Sequence, residues 1–263
     1  MRKFPISEML NRGWIEPCDT IDQKVNALYN YFGISSEKAW RDYYINQELK
    51  VSFRISLAHT KDPYAVSVWL RQGELQAKEI ILDATFSEKK LKNALVEMKR
   101  IMMEAENDFY SKLQALCASI GVKLLNTKCL PKAAINGATR WINDTPVIQL
   151  SNRYKRYDIF WFTFFHEIGH ILLHGKKAIF LEDSISTELE NEKEAEANAF
   201  AANILLPKAA EDEILSGKDF SINAIIDAAN RYSTHPSIIV GRLQHLKLIN
   251  YAQYQSLMKI QDE

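Results

Sequence analysis

The stretch Tyr157–His174, YDIFWFTFFHEIGHILLH, constrains this chain more than any other. It reads as a core helix that stops at Gly175, a residue suited to the left-handed turn after a helix. His166, Glu167 and His170 interrupt its apolar run, and each needs a partner if buried. They also rule it out as a membrane span. Such a helix must give one side to a core and the other to a polar cleft. Phe162, Phe165 and the leucines are expected on the core side, with the ionisable groups on the cleft side.

His166-Glu167-Ile168-Gly169-His170 fits HExxH. Residues four apart lie one turn apart on one helix face, so the two imidazoles can aim at one point. Zinc takes such nitrogens, and Glu167 is placed to reach a water on the metal without binding it. It can take the proton of that water and pass it to a leaving amine. With 6 His and 20 Glu in 263 positions, chance gives this pattern in roughly one such chain in a hundred. The plain alternative is a buried helix with incidental histidines. A third protein ligand is needed, and the acidic helix NEKEAEANAF offers Glu192, Glu194 and Glu196. Residue types alone do not choose among them. Two histidines and one carboxylate would leave a position open, as a catalytic zinc requires. Five alanines between Ala195 and Ala202 make that helix slim enough to pack closely on the first.

The 263 residues are 47% hydrophobic and 25% charged, enough for a sizeable core in one or two domains. Lys+Arg and Asp+Glu both total 33, so there is no general attraction to nucleic acid or anionic membrane. Cys18, Cys117 and Cys129 are few and widely spaced, which excludes a disulfide framework or a cysteine zinc cluster. MRKFPISEML carries no signal-peptide core. These features lead to the expectation of a cytoplasmic protein with no membrane partner.

Helical spacing dominates residues 1–117. A helix with Val25, Leu28, Tyr29 and Phe32 is capped by Asp19 or Thr20 and stopped by Gly33. Another starts at Ser35 or Ser36. DPYAVSVWLRQGELQAKEI predicts a helix broken near Gly73, and a long pattern from Leu91 to Leu116 changes phase between Met102 and Phe109, as a bend or two helices would. After Gly121 come a short strand, GVKLLN, and a hairpin pairing Ala138–Ile142 with Val147–Leu150 around Asn143-Asp144. Pro207 ends the acidic helix, and three shorter helices close the chain. The last of these segments is expected to pack against the domain rather than to bind DNA. The division is therefore a mainly helical N-terminal domain, 1–117, and an α+β domain, 118–263.

FHEIGHILLH followed by EAEANAFAANILLP resembles the ImmA/IrrE family of zinc metallopeptidases. The likeness extends through YDIFWFTFFHE and HPSIIVGRLQ, over roughly residues 120–245. It implies a small β-sheet with an HExxH helix and a glutamate-ligand helix, and one Zn2+ per chain. The ligands it implies are His166, His170 and Glu194, with Glu167 as catalytic base. Asn198, four residues after Glu194, would steady a zinc histidine through its side-chain oxygen. Glu196 is left off the metal. His174 is read as structural or as support for a ligand. His235, Tyr154 and Arg153 are candidate donors to the oxyanion, each with a plain capping or surface role as the alternative. The Val147–Leu150 strand is read as an exposed edge to which an extended peptide could add, or as a plain hairpin serving the core.

The segments RGWI, LYNYFGISSEKAWRDYY, VSFRIS and DPYAVSVWLRQGE resemble the part of longer regulator or antitoxin-type relatives that follows a helix-turn-helix. The helix-turn-helix itself is expected to be absent, which puts direct DNA binding in doubt and leaves DNA contact to a separate partner chain or to residues lost upstream. The resemblance implies a protein substrate, a helix-turn-helix repressor or antitoxin cut in stress-response, mobile-element or toxin–antitoxin control. The alternative is a non-catalytic zinc-binding transcriptional regulator or antitoxin component that binds protein or DNA.

Overall fold

The computed structural model describes residues 3–48, 62–105, 107–133, 135–151, 153, 155–176 and 186–260. VSFRIS, Tyr154 and the connection over 177–185 lie outside them. The N-terminal helices are α1 (Ile6–Asn11), α2 (Ile21–Phe32), α3 (Glu37–Trp40), which runs into a π-helical turn, and α4 (Pro63–Glu79). Thr20 caps α2 with a reciprocal bond to Gln23, and Gly33 stops it in the left-handed region at φ 68°. Ser36 caps α3. Met9, Phe32, Trp40, Tyr44, Trp69 and Leu70 form a buried aromatic cluster, with Trp40 stacked on Tyr64.

Helix α4 is continuous through Gly73, where the sequence predicts a break. The glycine serves packing instead. A Cβ there would lie 2.0 Å from Gln149 Oε1, so its absence lets α4 settle against the sheet. The Gln149 amide donates to Trp69 O at 2.7 Å, and Trp69 Nε1 donates to Thr127 O at 2.9 Å.

The long helical pattern divides into α5 (Glu88–Glu104) and α6 (Phe109–Ser119), with Ala105 left-handed at φ 48° between them. Strands β1 (Lys123–Asn126), β2 (Gly137–Ile142) and β3 (Thr145–Leu150) follow. Their order is β1-β3-β2, with β1 parallel to β3 and β2 antiparallel. β3 is therefore central, which corrects its reading as an exposed edge. Val147 and Ile148 are both fully buried, as a central strand covered on both faces should be. β1 joins it in parallel, each residue pairing with one 24 positions later, and a non-local pairing leaves no local signal. Among the described residues, β1 and β2 are the edge strands.

The alternation of strand side chains sorts the two faces. Leu124, Ile148 and Leu150 face the main core, whereas Leu125, Val147 and Ala138 face the α4 side. The main core joins α5, α6 and the sheet to α7 (Tyr157–Gly169), α8 (Ser186–Leu205), α9 (Lys208–Gly217), α10 (Ile222–Arg231) and α11 (Pro236–His245). Ile225, Ala229, Ile238, Ile239, Val240 and Leu243 lie in that core, so the C-terminal helices pack as expected. The chain has an α+β fold. Among the described residues, no helix is long and apolar enough to cross a membrane.

Gly121 turns the chain from α6 into β1 at φ +80°, and a Cβ there would lie 2.3 Å from the backbone nitrogen of Phe86. Gly121→Ala meets both a left-handed backbone and an immovable neighbour. It should destabilise the chain by at least about 2 kcal/mol. Urea unfolding should show this as a lower midpoint at unchanged slope.

Candidate metal centre

Helix α7 is held at its start and through its length. Arg156 bonds both Asp158 oxygens and the Gln244 side chain, and Tyr157 OH donates to Met102 O at 2.9 Å. Trp161, Phe164, Phe165 and Ile168 are fully buried and fix its rotation. Phe162 departs from the expectation of a core residue. It is 38% exposed, one turn before His166, with its ring stacked on that imidazole at 6.4 Å. Among the aromatic residues of α7, it is the one that turns toward the cleft.

α8 packs on α7 through small residues. A Cβ on Gly169 would lie 3.2 Å from Ala197 Cα, and Ala197 and Ala201 have no exposed surface. This close approach carries Glu194 to the histidines. Its Oε1 lies 2.8 Å from His170 Nε2 and its Oε2 3.3 Å from His166 Nε2, while the two Nε2 atoms are 3.0 Å apart. One ligand atom from each of the three residues fits within 4.8 Å. Glu192 is exposed, and Glu196 reaches His174 rather than this cluster.

The donor set fits a divalent cation. His166 Nδ1 lies 3.0 Å from Asn198 Oδ1, an acceptor, so that nitrogen carries the hydrogen and Nε2 keeps its lone pair. Lone pairs and a carboxylate crowded together repel unless a proton or a cation lies between them. Where a proton rather than a cation lies between them, burial works to raise the Glu194 carboxyl, but the bonds it accepts from His166 and His170 outweigh that and hold it at about 2. Burial works to lower His166, and its bond to Glu194 and the nearby Glu167 charge turn the balance upward. Glu194 is thus anionic at neutral pH, ready for a cation. Two imidazoles and one carboxylate leave a tetrahedral position open.

Glu167 points to the neighbouring face and is 5% exposed. Its Oε1 lies 2.7 Å from where a Cβ of Gly137 would be, so the carboxylate rests over the first residue of β2. Thr139 Oγ1 donates to the Glu167 carbonyl at 3.3 Å. The sequence reading singles out neither Gly137 nor Thr139. A glycine at the start of a strand signals close approach of another group, but not which group.

The oxyanion candidates scatter. His235 lies with its ring 4.6 Å from that of Tyr157, nine residues or about 13 Å of helix from His166. Its Nδ1 accepts from Ser237 N as the cap of α11, and burial pushes it down to about 4. The structure does not bring it to the cluster. Arg153 lines a small pocket with Ser151, Phe160 and Thr163, one turn before Glu167. Tyr154 is outside the described residues.

The helix pair and its histidines have a counterpart among known families. Residues 117–243 match the family model of the IrrE N-terminal-like domain, Peptidase M78. This part of the chain is an IrrE N-terminal-like domain. No curated protein and no solved structure gives a significant match to the chain. The IrrE-like domain is of metallopeptidase type, and His166, His170 and Glu194 all fall within it.

Glu194→Gln should lower the affinity of the chain for Zn2+ by about 100-fold or more, since losing a ligand costs at least as much as losing its support. Competition with a chromophoric chelator measures this. Wild-type affinity in the variant would remove Glu194 from the site.

Proposed function

We propose that this chain is a zinc-dependent endopeptidase that cuts a regulatory protein, such as a helix-turn-helix repressor or an antitoxin. The observation that carries the reading is the convergence of His166, His170 and Glu194 beside a buried Glu167 that rests on the edge strand β2. A zinc ion held by the three would polarise the scissile carbonyl and make water more acidic. Glu167 accepts the proton of the attacking water and returns it to the leaving amine.

The substrate pairs with β2. Asn143 and Asp144, at φ 48° and 65°, form the two-residue turn between β2 and β3. Ile142 and Thr145 therefore exchange hydrogen bonds, and the pairing alternates from there. Pro146 falls opposite Trp141 in a non-bonded pair, where its missing N–H costs nothing. Gly137, Thr139 and Trp141 thus turn their amides away from β3. An extended peptide can add there by backbone pairing, beside Glu167.

The regulatory substrate is supported by the likeness of the N-terminal part to segments of regulator and antitoxin-type proteins. The chain's balance of 33 basic and 33 acidic residues favours protein recognition over broad nucleic-acid binding.

The test uses the zinc-loaded full chain and, as candidate substrate, any helix-turn-helix protein found encoded beside it. Wild type should make a single cut, and Glu167→Gln should keep its zinc and cut about 10²–10⁴-fold more slowly. Gly137→Ala, which pushes on the Glu167 carboxylate, should also retain zinc and lose at least about 10-fold in rate. Cutting by Glu167→Gln at the wild-type rate contradicts the mechanism. Unchanged biological output from that variant favours the non-catalytic regulator.

A further inference from the structure

His174 and Glu196 lie outside the proposed ligand set, yet they connect to it. His174 Nε2 is 2.9 Å from Glu196 Oε2, and His174 Nδ1 is 3.0 Å from His170 Nδ1. The direction of this chain can be read from its outer end. A carboxylate only accepts, so His174 Nε2 carries the hydrogen. The Nδ1 of a neutral His174 is then bare and accepts. His170 Nδ1 is the donor, and the lone pair of His170 is left on Nε2. That is the atom 2.8 Å from Glu194 and 3.0 Å from His166.

We propose that Glu196 and His174 form a positioning relay that fixes the tautomer and ring orientation of His170 for a metal ion. The relay rests on the metal-site reading above. The backbone is shaped for it. α7 widens into a π-helical turn over His170–His174, closed by Gly175 N donating to His170 O, five residues back. The His174 side chain is only 6% exposed, so its ring is held, whereas Glu196 is 62% exposed and reaches in from the surface. Each ligand histidine thus has its own outer acceptor. His166 donates directly to Asn198, and His170 donates through His174 to Glu196. Glu194, Glu196 and Asn198 all lie on α8, so one helix supplies a ligand and orients the other two.

Three variants of the full chain test the relay: His174→Leu, His174→Asn and Glu196→Ala. Leucine removes the acceptor, while asparagine can present an amide oxygen where Nδ1 sits. Zn2+ affinity is measured by chelator competition, and thermal unfolding of the metal-free protein is followed in parallel. His174→Leu should bind Zn2+ about 10–100-fold more weakly. His174→Asn should recover most of that loss, Glu196→Ala should fall between, and the metal-free melting temperatures should stay close to wild type. Wild-type affinity in His174→Leu overturns the relay. So does His174→Asn binding as weakly as His174→Leu, since a packing role would not separate them. Failure of the wild-type chain itself to bind Zn2+ overturns the metal-site reading, and the relay with it.

Discussion

The contact of α7 with α8 at Gly169 and Ala197 is what the site depends on. Two helices carrying larger residues at this crossing would stand farther apart, because a single added methyl already meets Ala197 Cα at 3.2 Å. Only at this distance can a glutamate side chain span the gap to both imidazoles. The aromatic residues on the other side of α7 serve the same end. Trp161, Phe164 and Phe165 leave the helix no freedom to rotate, so His166 and His170 face α8 and Glu167 faces the sheet. Burial energy is thereby turned into ligand geometry.

The sheet is fixed from its opposite face. Arg140 on β2 bonds Glu74 at 2.9 Å and Leu70 O at 2.7 Å, and Glu74 is shared with Arg71. Arg140 and Glu74 are both buried, so removing either would cost the other a buried ion pair. This network ties the strand beside Glu167 to α4, outside the family-matched residues. The N-terminal helices therefore help to position the edge on which the proposed substrate lies.

Much of this was legible in residue order because the signals were local. HExxH, the caps at Thr20 and Ser36, the Asn143-Asp144 turn and the stop at Pro207 each act within a few residues. The choice of Glu194 over Glu192 and Glu196 came from the family resemblance, since helix spacing alone leaves all three open. What stayed hidden depends on partners distant in sequence. Gly73 looked like a helix break because its reason, Gln149, is 76 residues away. β3 looked like an edge because its parallel neighbour lies before the hairpin. Phe162 looked like core because composition does not reveal which aromatic turns toward a cleft. Gly137 carried no motif, and its role appears only when β2 meets α7.

X-ray absorption at the zinc edge of the full chain, with metal content measured on the same sample, addresses the central claim most directly. The account predicts one zinc per chain, with nitrogen and oxygen neighbours at about 2.0–2.2 Å and imidazole scattering from two rings. Zinc well below one per chain would contradict it, as would a sulfur neighbour at about 2.3 Å.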